Sequence, residues 1–172
     1  VLVAVDGYRY GGKAFDIRDN IETLRGQMPG LRQTVLIGYL DPAATLDGTT
    51  GWAEFTAEPG PLEFTAVPFD HPLWVLYSSG TTGLPKGIVH GHGGIVVEHV
   101  KAMRLQHGLG PGDRFFWFTT TGWMMWNFLI GGLLVGATIV MYDGNPGHPD
   151  LGALWKLAAR HRVTLFLSLI HI

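Results

Sequence analysis

The chain has 172 residues, of which 47% are hydrophobic and 15% charged, and its formal net charge is −2. This length fits one domain with a substantial apolar core, and the lack of a basic run disfavours a nucleic-acid-binding surface. Cys is absent, which excludes a disulfide framework, zinc–thiolate sites and a cysteine nucleophile. No secretory signal follows Val1, so a cytoplasmic protein is expected.

The first half of the chain alternates short apolar runs with turn residues. Leu2–Val5 is predicted to be a strand, followed by a turn-rich segment at 6–13. A helix is predicted from Asp16, whose side chain is suited to accept first-turn N–H groups, to about Gln27. The next predicted elements are a strand at 34–39, a loop at 41–51, a helical turn at 52–57, an extended connector at 59–72 and a strand at 74–77.

The second half continues the same alternation of strands and helices. A helix is predicted at 95–107, with Val96, Val100 and Met103 on one face at helical spacing. The other predicted elements are strands at 88–90, 114–118, 137–142 and 163–166, a helix at 123–135, and a helix that Asp150 caps and that ends near His161. Alternating strands and helices imply crossovers, so we predict an α/β fold with a mainly parallel sheet and flanking helices.

The segment between Arg114 and Asp143 carries no charged residue and is long enough in principle to span a bilayer. Glycines and threonines interrupt it, and its ends are β-like while its middle is helix-like. Fully buried strands of parallel sheets also form continuous apolar runs. We therefore predict a buried strand–helix–strand unit without a membrane span, with a membrane protein as the alternative.

Residues 77–87, Tyr-Ser-Ser-Gly-Thr-Thr-Gly-Leu-Pro-Lys-Gly, form the most informative stretch of the chain. Glycines let consecutive backbone N–H groups point into one concavity, and the hydroxyls and the lysine add donors and positive charge. A loop that holds the triphosphate of a nucleotide is therefore predicted. Its residues would be Ser79, Gly80, Thr81, Thr82, Gly83 and Lys86.

The flanks of Lys86 distinguish this stretch from a Walker A motif. That motif has Gly directly before its Lys and Ser or Thr directly after it, whereas Pro85 and Gly87 occupy those positions here. An ordinary P-loop NTPase is therefore disfavoured. The alternative to a phosphate loop is a surface turn rich in Gly, Ser and Thr with an exposed lysine.

The same stretch resembles the phosphate-loop signature of the adenylate-forming superfamily, which includes acyl-CoA synthetases, luciferases and peptide-synthetase adenylation domains. The resemblance extends over nearly the whole chain, from Val1 to about Phe166. Within that superfamily, further segments are similar to the acetoacetyl branch of the acyl-CoA synthetases. These segments are residues 5–10, 68–77, 113–127, which is rich in Trp and Met, and 142–146.

The resemblance implies an ATP-dependent acid–thiol ligase. In that reaction a carboxylate, here acetoacetate, attacks the α-phosphorus of ATP, and the acyl-adenylate then passes its acyl group to the thiol of coenzyme A. ATP, Mg²⁺ and coenzyme A are the implied substrates and cofactors of the complete enzyme, and no metal-binding residue is expected in this chain. The implied catalytic residue is Lys86, which acts with the other loop residues on the phosphates.

Two further groups of residues take roles from the resemblance. Trp123, Met124 and Met125 fall where short-chain relatives line the acyl pocket, with plain core filling as the alternative. Arg9 falls where relatives place an arginine against the coenzyme A phosphates, with an exposed loop arginine as the alternative. Asn127 stands where acetyl-CoA synthetases have a histidine, so no histidine role is transferred there.

The histidines near the predicted loop could indicate a metal site. His90, His92 and His99 alternate with glycines and have no carboxylate cluster beside them, so we interpret them as loop or helix-start residues.

In relatives, the adenine loop, a ribose-binding aspartate, a magnesium-binding glutamate and a C-terminal lid with a catalytic lysine lie beyond the part that this chain resembles. Residues 1–172 are therefore expected to be part of the N-terminal AMP-binding domain, with the C-terminal lid domain absent. The final segment, 167–172, departs from the small-residue turn that relatives have there. Two alternatives stay open: another short-chain acyl-CoA synthetase, or a catalytically inactive phosphate-binding fragment.

Overall fold

The computed structural model of the chain describes residues 1–78 and 83–168. The chain divides into two compact units, Val1–Glu63 and Phe64–Ile172. Strands and helices alternate in both units, and both three-stranded sheets are parallel throughout. The predicted α/β class with mainly parallel pairing and flanking helices is confirmed. The atypical final segment lies outside the described residues from 169 onward.

The first unit is built on a small parallel sheet. Its elements in chain order are β1 (Leu2–Val5), β2 (Gly7–Tyr10), β3 (Lys13–Asp16), α1 (Arg18–Gln27), β4 (Thr34–Ile37), β5 (Thr50–Gly51) and α2 (Trp52–Phe55). The sheet order is β1-β4-β5. Ile21 of α1 and Val35 and Leu36 of β4 are buried and supply the apolar core of this unit. Strand β1, the end of α1 and the helical turn at α2 agree with the sequence predictions.

The prediction of a turn-rich segment at 6–13 holds only for residues 11 and 12, because β2 and β3 on either side of them form an antiparallel hairpin. Gly11 and Gly12 connect the strands with φ values of 57° and 80°, the backbone that a two-residue type I′ turn requires. Across the ladder the rings of Tyr8 and Phe15 stack at 5.3 Å. The glycines therefore close a regular hairpin rather than interrupting regular structure.

Two carboxylates bind backbone N–H groups in this unit, one at the start of α1 and one just after β4. Asp16 Oδ1 accepts the backbone N–H of Arg18 at 3.0 Å, as predicted, although the helix cap itself is Ile17. The buried carboxylate of Asp6 accepts the backbone N–H groups of residues 39–41 at 2.7–2.8 Å. Burial alone would raise the pKa of Asp6, but these hydrogen bonds, together with one from Gly7, outweigh it and lower that pKa.

The second unit contains a long hairpin and a second parallel sheet. Its elements are β6 (Pro72–Ser78), β7 (Lys86–Gly91), α3 (His92–Lys101), a π-helical turn (Ala102–Gln106), β8 (Arg114–Trp117), α4 (Met124–Gly131), a 3₁₀ turn (Gly132–Val135), β9 (Thr138–Val140), α5 (Ala153–His161) and β10 (Leu165–Leu167). The sheet order is β10-β8-β9, and β6 pairs with β7 in antiparallel fashion.

The uncharged segment between Arg114 and Asp143 folds as the predicted strand–helix–strand unit. Strands β8 and β9 run parallel, and α4, with eight residues, forms the crossover between them. Phe115 and Phe116 of β8 are fully buried, which explains why the residues that follow Arg114 in this strand carry no charge. Across residues 1–78 and 83–168, no helix is long and apolar enough to span a membrane.

The predicted apolar face of the 95–107 helix is only partly right. The helix begins earlier, at His92, and Val96 is 46% exposed. Its buried stripe runs instead through His99, Ala102 and Met103. The reason is that α3 packs against α4 at Gly131, which lies directly beside the ring of His99.

Candidate active site

The candidate phosphate loop connects the two strands of an antiparallel hairpin. Ser78 pairs with Lys86, and Tyr77 pairs with Gly87 on the next rung. Strand β7 therefore begins at Lys86, two residues before the strand predicted at 88–90. The predicted loop residues Ser79, Gly80, Thr81 and Thr82 lie outside the described residues.

The described end of the loop leaves Lys86 available to an anion. Its side chain is exposed, and among the described residues no carboxylate forms an ion pair with its ammonium group. Gly83 has a φ of 141°, a conformation that other residues rarely adopt. Both observations fit an anion-binding loop, in which glycine backbone and a free cation are needed together.

A cavity of about 250 Å³ lies beside the end of this hairpin that carries the loop. Strand β6 provides one wall, and the N-terminal half of α4 with the turn before it provides the other. The lining residues are Val75, Leu76, Tyr77, Thr121, Gly122, Trp123, Met124 and Asn127. Tyr77 connects the cavity with the candidate phosphate loop, because it lines the cavity and neighbours the Ser78–Lys86 rung.

The structure separates the three residues that were assigned to an acyl pocket. Trp123 and Met124 line the cavity and are 39% and 52% exposed, so they do not fill the core. Met125 is not among the described residues that line the cavity. The neighbouring Trp126 packs against the hydrophobic core of the second unit. The exposure of Trp123 and Met124 argues against core filling for these two residues, and an acyl pocket formed by Trp123, Met124 and Met125 stays a prediction.

Sequence reasoning gave Asn127 no role, yet its position on the cavity wall follows from helix geometry. Asn127 lies four residues after Trp123 and three after Met124, and residues at these spacings share one face of a helix. Met125 is two residues before Asn127 and therefore belongs to another face. Once the structure places Trp123 and Met124 on the cavity wall, the same spacing places Asn127 there too.

Arg9 lies in the first unit, on strand β2 opposite Ala14 of β3. It is exposed, and no ion pair to its guanidinium group occurs among the described residues. The alternative of an exposed loop arginine is right about exposure and wrong about the loop, because Arg9 lies within a strand. Its role toward coenzyme A stays a prediction.

The interpretation of the histidines as loop or helix-start residues is correct for His92 and wrong for the other two. His90 lies within β7, where its Nδ1 accepts a 3.0 Å hydrogen bond from Nε1 of Trp74. His99 lies inside α3 and is only 7% exposed, with its ring 6.0 Å from that of Trp74 and 5.6 Å from that of Phe128. The elements predicted at 88–90 and 95–107 already contain His90 and His99, and the structure agrees with those elements.

Burial of His99 lowers its pKa, because the charged imidazolium loses solvation there. Glu98 opposes this effect, and the nearby His90 adds to it. In the part of the chain that the structure describes, no group of three or more His, Asp or Glu side chains is placed to hold a metal ion. His99 therefore belongs to the aromatic packing between β6, α3 and α4.

Residues 3–169 match the model of a family described as AMP-binding enzyme. The acetoacetyl-coenzyme A synthetase of Rhizobium meliloti (strain 1021) is 43% identical to the chain over 172 residues, covering 96% of the chain and 26% of that protein. The malonamoyl-CoA synthetase vrtB of Penicillium aethiopicum is 54% identical over 85 residues, covering 49% of the chain and 12% of that protein.

The solved acetoacetyl-CoA synthetase from Streptomyces lividans superposes on this chain with a TM-score of 0.91 and 57% sequence identity, covering 97% of the chain and 26% of that structure. The chain thus spans about a quarter of the length of these acetoacetyl-CoA synthetases. Its mixed α/β fold matches the N-terminal domain of adenylate-forming enzymes. On the extent of the family match, this chain belongs to the AMP-binding enzyme family.

Proposed function

We propose that residues 1–172 are part of the N-terminal AMP-binding domain of an acetoacetate–CoA ligase, whose C-terminal lid domain lies outside this chain. The complete enzyme would form acetoacetyl-adenylate from ATP and acetoacetate and pass the acyl group to coenzyme A. One observation carries this proposal. The Ser78–Lys86 rung at the foot of the candidate phosphate loop directly neighbours Tyr77, which lines the cavity together with Trp123 and Met124.

This arrangement suits acid activation because it places an anion site next to a small cavity. An acid in the cavity would present its carboxylate near the strand end from which the loop starts. Lys86, with Ser79, Gly80, Thr81, Thr82 and Gly83, would hold the β- and γ-phosphates and neutralise the charge that builds on pyrophosphate as it leaves. Lys86 is therefore the proposed catalytic residue of this segment.

We assign no residue of this chain to Mg²⁺. No metal-binding group of three or more His, Asp or Glu side chains is present in the described ranges, 1–78 and 83–168. In the proposed reaction the ion would arrive on the phosphates of ATP and help to neutralise their charge. Arg9 is the proposed contact for the phosphates of coenzyme A, supported by its exposed position on the β2–β3 hairpin.

The size and lining of the cavity support a short acyl substrate. Its volume of about 250 Å³ is below the usual range of small-molecule pockets. Trp123 lines the cavity, and in the proposed complex its ring would limit the length of the acyl tail. The acyl groups named in the two kinds of relative, acetoacetyl and malonamoyl, share a carbonyl at carbon 3. One carries a methyl group on this carbonyl and the other an amino group. We therefore propose short 3-oxo acids as the substrate class, with acetoacetate first.

A chimera tests this proposal. The matching quarter of the Streptomyces lividans synthetase would be replaced by this chain, and acid-dependent ATP–pyrophosphate exchange would be measured with acetoacetate, acetate, butyrate and hexanoate. We expect acetoacetate to exceed the other acids by at least about tenfold in kcat/KM. The unmodified S. lividans enzyme, measured in parallel, controls for the assay.

Exchange that no acid stimulates, in a chimera that is folded by circular dichroism and gel filtration, would refute the ligase. Equal use of acetoacetate and butyrate would leave another short-chain acyl-CoA synthetase as the function. The isolated 172-residue chain is expected to form no thioester, since it spans only 26% of its ligase relatives. Thioester formation by that chain alone would contradict this part of the proposal.

A further inference from the structure

The wall of the acyl cavity contains one side-chain carboxamide. Asn127 is half-buried on α4, one helical turn after Trp123 and Met124, and lines the cavity with them. The apolar side chains of Val75, Leu76 and Met124 share this wall. Besides Asn127, the described lining side chains that carry a polar atom able to make a strong hydrogen bond are the hydroxyls of Thr121 and Tyr77 and the indole N–H of Trp123.

The carboxamide of Asn127 has no hydrogen-bond partner among the residues that the structure describes. Its polar atoms are accessible to water, because among the described residues the buried side-chain atom without a partner is Nε1 of Trp117. An amide carries two N–H donors and an acceptor oxygen. Because Asn127 lines the cavity, a ligand with a carbonyl at the right depth would take the place of that water.

The orientation of a bound acid determines which of its atoms lies next to Asn127. Its carboxylate must lie toward Tyr77 and the Ser78–Lys86 rung, where the proposed phosphate loop begins. The rest of the acyl chain then points toward α4. The atoms next to α4 are those at carbon 3 and beyond, because the acid is short.

We propose that Asn127 is a specificity-determining residue that donates an Nδ2–H hydrogen bond to the carbonyl oxygen at carbon 3 of the acyl substrate. This inference rests on the proposed ligase function and assigns the residue that reads its substrate class. The Oδ1 atom of the same side chain accepts from the amino group when the 3-carbonyl is an amide. Butyrate has a CH2 group at carbon 3 in place of the carbonyl, so it leaves the carboxamide unpaired and is disfavoured.

The test uses the S. lividans chimera with the substitution Asn127→Leu, which keeps the side-chain size and removes both hydrogen-bonding atoms. Values of kcat/KM would be measured for acetoacetate, malonamate and butyrate. We expect a loss of about tenfold or more for acetoacetate and malonamate and a change below about threefold for butyrate. Thr121→Val, which removes another polar group from the same wall, is the matched control and should preserve the ratio between the acids.

The outcomes separate this inference from the proposed function. An unaltered acetoacetate-to-butyrate ratio in the Asn127→Leu chimera would overturn the inference. An equal loss for both acids would also overturn it, because it would show a structural role. A parent chimera that activates both acids equally would refute the inference and the proposed preference for acetoacetate but leave the ligase, whereas a parent that activates neither would refute the ligase and this inference with it.

Discussion

Lys86 lies opposite Ser78 on the last described rung of the β6–β7 hairpin. The ladder therefore fixes the two backbone positions between which the candidate phosphate loop must close. It also fixes the base of the lysine side chain next to the strand end that lines the cavity. The paired backbone therefore fixes the point from which the Lys86 side chain extends, which favours its use on a reacting phosphate.

Replacing this charge should slow adenylation. In the S. lividans chimera we expect Lys86→Ala to lower kcat for ATP–pyrophosphate exchange by about 100-fold, since a preorganised donor to the departing phosphates is lost. The matched control is Lys101→Ala. The ammonium of Lys101 lies 2.7 Å from Glu98 in an exposed ion pair on α3, and such pairs contribute little. Unchanged rates and unchanged affinity for ATP in Lys86→Ala would contradict the assignment.

The length of the acyl chain should depend on Trp123. We expect Trp123→Ala to raise kcat/KM for hexanoate by about tenfold and to lower that for acetoacetate, because removal of the indole lengthens the cavity. Met125→Ala is the control, since Met125 does not line the cavity among the described residues. The same series of acids in the exchange assay measures both variants. If Met125→Ala shifted the preferred acyl-chain length instead, the acyl pocket would lie on the face of α4 that carries Met125, and this prediction would be refuted.

The strand–helix–strand unit at 114–140 could be predicted because its signals are strong and local. Long apolar runs bounded by glycines indicated two strands and a helix, and burial of β8 explains the missing charges. The β2–β3 hairpin escaped prediction because its strands are short and Gly11-Gly12 looks like an irregular loop. Regular pairing between short strands depends on contacts such as Tyr8 on Phe15, which no local pattern reveals.

The candidate site was predictable to a similar degree. The composition of the loop pointed to Lys86, and resemblance pointed to Trp123, Met124 and Met125. Neither signal showed that Met125 would face elsewhere or that Asn127 would complete the wall, because that depends on which face of α4 turns toward β6. The face of a helix is set by tertiary packing, here by the contact of α4 with α3.

The contact between α3 and α4 requires glycine at position 131. A Cβ there would overlap the imidazole of His99, so Gly131→Ala should destabilise the fold by about 1–3 kcal/mol despite the better helix propensity of alanine. Gly94 is the matched control, because it lies in α3 with no atom within 4 Å of an added Cβ. Gly94→Ala should stabilise the chain by about 0.5–1 kcal/mol. Urea unfolding of the 172-residue chain measures both, and equal effects would refute the close contact.

The buried imidazole of His99 should make stability depend on pH. Its pKa in the folded chain lies below the ordinary value of 6.5, mainly because burial disfavours the charged ring. Between these two pKa values the unfolded chain binds more protons than the folded chain, so the free energy of unfolding falls as the pH falls. The contribution is fully present above pH 6.5 and is lost toward the lower folded-state pKa, with a slope of at most about 1.4 kcal/mol per pH unit.

Urea unfolding of the 172-residue chain between pH 8 and pH 5 measures this slope. His99→Gln removes the titrating group, so the fall in stability below pH 6.5 should become shallower even if the variant is less stable throughout. His161→Gln, which replaces an exposed histidine at the end of α5, is measured in parallel as the matched control. If His99→Gln retained the parent slope while His161→Gln lost it, the pH response would belong to the surface and not to the packing between α3 and α4.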